Sequence, residues 1–304
     1  MNAVTAPQAP TEAAPAPAPA PRPRGRSIVW RLRTGAGLSY LMLGVLALVY
    51  IYPFLITLSS AFKTDDEATN DPLRLIPQIW SFASFERLFT DVPLPLWTMN
   101  TIFVTITITT GRVFFDSLAG YALSRLRFRG RSLIFASLVA VMAVPGVVLL
   151  IPRFLILKQF GMYDSYAGMI VPLLVDAAGI FIMKQFFESI PSGVEEAARL
   201  DGAGVFRTFW TIVLPMARPA LVTLFILSFQ GSWNEFGHFI VSRQSPETNT
   251  LTTGIASLFS GQLGSGNEFP LKMAAAVLMT IPIAIMFFVF QKRLVNTTEG
   301  SEKG

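Results

Sequence analysis

Three polar side chains cluster near the end of an otherwise apolar stretch: Gln230, Asn234 and Glu235, with Trp233 among them. On a helix, positions i, i+4 and i+5 share one face. Amide and carboxylate groups that bond hydroxyls, beside an aromatic face that covers the C–H side of a sugar ring, are the chemistry of carbohydrate recognition. The same residues also read as a gate contact and an aromatic anchor at the outer end of a membrane span. Both readings stand at this level. Other ionisable groups interrupt apolar stretches: Arg112 and Asp116, four residues apart, and Asp176. Charges in such surroundings are costly and need partners. Arg112 and Asp116 share a face, which predicts a buried pair that neutralises itself. Asp176 has no evident partner in its own stretch, so it either lines a water-filled path or pairs with another subunit. The three together could also serve as a proton or ion relay in a self-sufficient secondary transporter.

A second constellation lies in the polar stretch from Ser189 to Pro219, SIPSGVEEAARLDGAGVFRTFWTIVLPMARP. Ser192 followed by Glu195, directly after Pro191, predicts a capping box at a helix start. The helix expected over Val194–Leu200 places Glu195 and Arg199 at i, i+4, the favourable orientation for an ion pair. Gly202 is placed to close it in a left-handed conformation. A helix this short is marginal alone in water. It needs a surface to dock on, and its small side, Val194, Ala197 and Ala198, lets a partner approach closely.

The elements that must position these groups are long and apolar. Of 304 residues, 52% are hydrophobic and 14% charged, against roughly 25% charged in soluble domains. Segments near 38–59, 99–123, 133–157, 166–187, 217–241 and 273–294 each reach the length needed to cross a hydrocarbon core of about 30 Å. The expectation is an all-α integral membrane protein with six transmembrane helices over residues 31–304. The loop 188–216, with its short helix, lies between the fourth and fifth spans. Pro145, Pro152, Pro172 and Pro282 are expected to kink spans. Residues 1–30 are a separate piece: alternating Ala and Pro give way to Arg22, Arg24 and Arg26, which predicts a disordered basic tail. It is not a signal peptide, since it has no apolar core.

Lys and Arg set the orientation. The tail arginines, Arg125, Arg127, Arg129, Arg131, Lys184, Arg199, Arg207 and Arg218 fall on one side, with Lys292 and Arg293. Fewer fall on the other, so the positive-inside rule puts both termini and the 188–216 loop in the cytoplasm. This distribution accounts for the net charge of +5 without nucleic acid. There is no Cys and one His, His238, which excludes disulfides and disfavours a His-based metal site. No Gly-Lys dipeptide occurs, so no phosphate-binding loop is present, and no nucleophile–base pair suggests an enzyme. The loop Ser242–Leu271, with Gly254, Gly261, Gly264 and Gly266, is expected to be a long outer loop.

The run Glu196-Ala197-Ala198, three residues, Gly202, nine residues, Ile212-Val213-Leu214-Pro215 resembles the cytoplasmic loop signature of ABC importer permeases. Ala119-Gly120-Tyr121-Ala122-Leu123-Ser124-Arg125 with Phe128-Arg129-Gly130, Asn100, Phe186-Phe187, Ile190-Pro191, Gln291 and Trp233-Asn234-Glu235-Phe236 are similar to the carbohydrate-uptake permeases, in particular the shorter six-helix permease of maltose-type transporters. The tail 296–302 departs from that pattern in its glycine spacing before Lys303-Gly304. The resemblance implies that Glu195, Glu196, Ala197, Ala198, Arg199, Asp201 and Gly202 form a coupling helix seated on an ATPase. It implies a second permease, two ATPase subunits that carry the ATP and Mg, and an extracellular or periplasmic solute-binding protein as partners. This chain itself would hold no cofactor. The setting would be a bacterial or archaeal plasma membrane, with a sugar as the cargo.

Overall fold

The computed structural model describes residues 26–260 and 268–299, with side chains described over 37–258 and 268–291. The expected tail before Arg26, the Gly261–Gly266 stretch and the terminal Lys303-Gly304 lie outside the described residues. Among the described residues the chain is helical without strands. In order the helices are α1 (Arg26–Ser60), α2 (Asp65–Asn70), α3 (Ala83–Thr90), α4 (Leu94–Arg125), α5 (Arg131–Met142), α6 (Leu150–Gln159), α7 (Tyr166–Ile170), α8 (Ala177–Ser189), α9 (Ser192–Leu200), α10 (Val205–Thr208), α11 (Leu214–Met216), α12 (Arg218–Trp233), α13 (Gly237–Ser242), α14 (Leu251–Ser260) and α15 (Phe269–Glu299). The chain divides into two compact units at Pro53, a boundary that falls within α1. Helix α1 begins at Arg26, inside the segment expected to be a tail and well before Leu38.

Four stretches are long and apolar enough to cross a membrane: Gly37–Ser60, Leu94–Arg125, Tyr166–Ser189 and Phe269–Gln291. Two more pass as bent pairs: Arg131–Met142 with Gly146–Gln159, bent by 102°, and Val205–Met216 with Arg218–Trp233, bent by 79°. The span expected over 133–157, with kinks at Pro145 and Pro152, is built from two separate helices, α5 and α6. Pro145 explains the break, because it disfavours helical backbone at Val144 and offers no N–H. The expected span over 217–241 is also corrected: α12 stops at Trp233 and α13 starts afresh at Gly237. The segment 166–187 is interrupted as well, by a 3-10 turn over Val171–Leu173 that carries Pro172.

Helix α4 is the post on which the larger unit is assembled. It packs along α8 and α12, which also touch each other. The approach to α8 is close because glycine faces the contact. A Cβ on Gly120 would stand 2.8 Å from the Met183 Cβ and 3.0 Å from the Lys184 backbone nitrogen. Small residues let membrane helices gain packing and short backbone contacts where hydrocarbon provides no hydrophobic drive. Around this seam lie Tyr121, Met183, Phe187, Phe209 and Leu224, all buried. A second apolar cluster gathers Trp97, Trp233, Leu251, Leu258 and Leu271. It includes α14, so the region expected to be a long glycine-rich loop contains a packed helix. Gly254 lies in that helix against the Trp97 ring, 2.2 Å from where its Cβ would be.

The seam predicts a contrast between two glycine substitutions. Gly120→Ala forces apart two backbones and should cost about 1–3 kcal/mol. Gly193→Ala, in α9 with nothing within 4 Å of its Cβ, should be neutral or stabilise by up to about 1 kcal/mol. Thermal unfolding of the purified assembly in detergent reads both. Equal melting temperatures for the two variants would refute the close α4–α8 contact.

Candidate coupling surface and transmembrane path

Helix α9 covers Ser192–Leu200, two residues longer at its start than the sequence suggests. Pro191 is the N-cap and no side chain caps the first turn, so the expected Ser192–Glu195 capping box does not form. Glu195 turns inward instead. It is 4% exposed, and its carboxylate meets Arg125 at 3.3 Å, in an ion pair too poorly angled for a hydrogen bond. The expected Glu195–Arg199 pair is present at 3.9 Å, with Arg199 largely exposed. A buried carboxylate gains more from a half-buried guanidinium than from a solvated backbone N–H, because screening by water is weaker there. Arg125 also donates to the carbonyls of Phe187 and Ile190, which end α8. One side chain thus ties the end of α4 to both the end of α8 and the inward face of α9.

The C-terminus of α9 closes as the sequence predicts. Gly202 has φ +78°. Its N–H donates to the Arg199 carbonyl at 3.0 Å, and the Ala203 N–H reaches the Ala198 carbonyl at 2.9 Å, the paired bonds of a Schellman turn. Ala198 is buried against the chain, so only part of the expected small face is open to a partner. The outward residues are Glu196, Ala197, Arg199, Leu200 and Asp201. Leu200 is 89% exposed.

The polar groups inside the spans have partners that spacing did not reveal. Arg112 and Asp116 do not neutralise each other as expected. Arg112 donates through Nε to the Leu173 carbonyl at 2.7 Å, and Asp116 accepts the Asp176 N–H at 3.0 Å. Both acts serve the break between α7 and α8, whose backbone groups have lost their helical partners. Asp176, expected to lack a partner in its own stretch, caps α8 by accepting the Gly179 N–H at 3.2 Å. Gly179 is required here, since a Cβ would fall 2.1 Å from the second Asp116 oxygen. That oxygen is buried with no hydrogen-bond partner.

The constellation at the end of α12 is rearranged by the helix break. Trp233 is 2% exposed; its indole donates to the Met279 carbonyl at 3.1 Å and stacks on Phe229. Its ring is thus enclosed in packing, and the shared face expected for Gln230, Asn234 and Glu235 ends where the helix does. Asn234 is the C-cap residue and donates to the Gln230 carbonyl at 3.0 Å. Glu235 accepts the His238 N–H at 2.8 Å, closing the first turn of α13. Gln230 and Asn234 remain exposed.

Two anchors have no sequence signal that would have assigned their roles. Asn100 donates to the carbonyls of Glu247 and Asn249 at 2.7 and 2.8 Å and accepts the Tyr166 hydroxyl at 2.7 Å. Asp164, at φ +58°, accepts the N–H groups of Gln244 and Ser245, both at 2.8 Å, as well as the Ser245 hydroxyl. These bonds hold its carboxyl down to about 2, below the usual 3.8.

Two predictions follow from these contacts. Asp116→Ala leaves the Asp176 N–H without an acceptor and should cost about 1–3 kcal/mol. Asp116→Asn keeps an acceptor oxygen and should cost less; equal losses in melting temperature would assign the effect to charge instead. For Asp164, the depressed value means its contribution is complete above the unfolded value near 4 and fades as pH falls through about 2. Amide exchange at Gln244 and Ser245, corrected for intrinsic rate, should be slower in the wild type than in Asp164→Ala above pH ~5. The difference should shrink from about pH 4 to 2; a difference independent of pH would contradict the carboxylate's role.

Residues 116–299 match the family described as binding-protein-dependent transport system inner membrane component. The chain is 31% identical over 274 residues to a sulfoquinovosyl glycerol transport system permease of Agrobacterium fabrum, covering 89% of this chain and 95% of that one. It is 30% identical over 267 residues to a diacetylchitobiose uptake system permease of Streptomyces coelicolor, covering 87% and 88%. Among solved structures it is similar to a bacterial ABC transporter involved in the import of alginate, with a TM-score of 0.76 and 28% identity over 86% of this chain and 96% of that one. This helical, multi-pass membrane protein belongs to the family of binding-protein-dependent transport system inner membrane components.

Proposed function

We propose that the chain is the permease subunit of an ABC importer that carries a sugar or oligosaccharide inward, driven by ATP hydrolysis in a separate subunit. The observation that carries this reading is similarity along nearly the whole chain to permeases named for carbohydrate conjugates and amino sugars, with 31% identity over 274 residues in one of them. Residues 31–304 act as the permease domain. Each bent pair counts as one crossing, which gives six spans with both termini and the 188–216 loop in the cytoplasm. The partners are a second permease, two ATPase subunits and a solute-binding protein on the outer face.

In this reading α9 is the coupling helix. Its outward Glu196, Ala197, Arg199, Leu200, Asp201 and Gly202 meet the ATPase, while Glu195 and Ala198 hold it to its own chain. A stroke on α9 is carried by the Arg125 clasp into α4 and α8 together, and so to the break at Asp176. Gln230 and Asn234 are the exposed polar groups that border the path. Trp233 and Glu235 keep the helix break beside them in shape.

Gly202→Asp tests the coupling. Nothing lies within 4 Å of its Cβ position, so the substitution acts through the positive φ, which a side chain disfavours by about 1–2 kcal/mol. Assembly yield and basal ATPase activity in detergent should persist. Uptake of labelled oligosaccharide into vesicles, with binding protein present, should fall roughly five-fold or more. Normal uptake would remove the coupling assignment. Transport confined to non-carbohydrate solutes by the wild type would remove the sugar.

A further inference from the structure

Two hollows meet at Arg131, where α4 passes into α5. One, about 510 Å³, is lined by Ser124, Arg125, Arg127, Glu196 and Arg199. The other, about 820 Å³, is open and mostly apolar, lined by Phe128, Leu133, Phe135, Ala136 and Lys184. The apolar wall continues along α5, none of whose residues is buried; Leu133 is 72% exposed. The charged end has an excess of cations. Lys184 is buried, holds Glu188 at 2.7 Å and lies 4.2 Å over the Phe135 ring. Arg131 meets the same Glu188 at 3.6 Å and donates to the Ser124 carbonyl. One carboxylate therefore faces two cations. Arg127 and Arg129, in the connecting loop, are exposed and make no hydrogen bond or ion pair among the described residues.

We propose that this junction binds an anionic phospholipid, with an acyl chain along the Phe128–Leu133–Ala136 wall and the phosphate at Arg127, Arg129 and Arg131. An apolar wall that ends at a carboxylate shared by two cations, next to two exposed arginines without ion pairs among the described residues, matches an amphipathic anion. A soluble anion would leave the wall uncovered, and an acidic protein surface would bring charge but no chain to fill it. The adjoining polar hollow reaches Glu196 and Arg199 of α9, so the bound headgroup sits beside the residues proposed to face the ATPase. The binding itself rests on the chain's membrane embedding and not on its cargo or its coupling role.

The test uses the assembled complex in nanodiscs of phosphatidylcholine with a minor fraction of phosphatidylglycerol. Native mass spectrometry reads which lipid stays bound, and a photoactivatable phosphatidylglycerol reads where. Phosphatidylglycerol should be retained over phosphatidylcholine and should label the segment 128–136. Arg127→Gln with Arg129→Gln changes exposed side chains and should fold. It should weaken retention by about five-fold per charge, or roughly twenty-five-fold together. Arg127→Lys with Arg129→Lys should restore most of it. Equal retention of the two lipids, undiminished retention in the double glutamine variant, displacement by inorganic phosphate alone, or labelling that misses the segment 128–136 would each overturn the proposal.

Discussion

A helix broken inside an apolar layer leaves backbone groups that water does not reach. That constraint shapes the centre of this protein. Between α7 and α8 the chain loses regular helical bonding around Pro172, and the Leu173 carbonyl and Asp176 N–H would be orphaned. Irregular backbone at such depth persists where protein groups satisfy it. Here α4 supplies both: Arg112 to the carbonyl and Asp116 to the N–H. An arginine and an aspartate that would be expensive on a lipid-facing helix are retained because they serve a neighbour's main chain. The glycine at 179 follows from the same arrangement, since the Asp116 carboxylate occupies the space a side chain would need.

From that point α8 runs to the surface between two fastenings, both made by α4. At the C-terminal end of α8 Arg125 takes its last carbonyls and the buried Glu195 of α9. Gly120 brings the two backbones together between them. The result is a pair of helices that share polar contacts at each end and a close seam in the middle. Densely packed interiors transmit displacement and do not absorb it. A short helix that would be marginal alone is held as the outward end of this pair. Its own sequence contributes the Schellman closure at Gly202 and the solvent-facing residues.

At the other side of the molecule, polar residues that look like a recognition set are largely occupied. The Trp233 indole is spent on the Met279 carbonyl and Glu235 caps α13. Asn100, in the first turns of α4, uses its whole amide to fix the entry to α14 and the Tyr166 ring. Asp164 holds the Gln244–Ser245 turn through its carboxylate. These contacts are local solutions to backbone groups at chain reversals, where secondary structure provides no partner.

Much of the architecture was legible in the order of residues. Apolar runs of spanning length and the short helix closed at Gly202 depend on composition and period, which act locally along the chain. Gly202 is an example: a positive φ at a helix end needs only a missing Cβ. Other features were decided in three dimensions. Arg112 and Asp116 lie four apart and look like a pair, yet each has a stronger claim from an orphaned backbone group on another segment. Glu195 reads as a cap and becomes a buried anchor, because Arg125, seventy positions earlier, arrives beneath it. Trp233 reads as an exposed ring and becomes core when α15 closes over it. In each case the partner is distant in sequence. Which polar group satisfies which depends on the relative placement of helices, and that placement is set by close packing rather than by any local pattern.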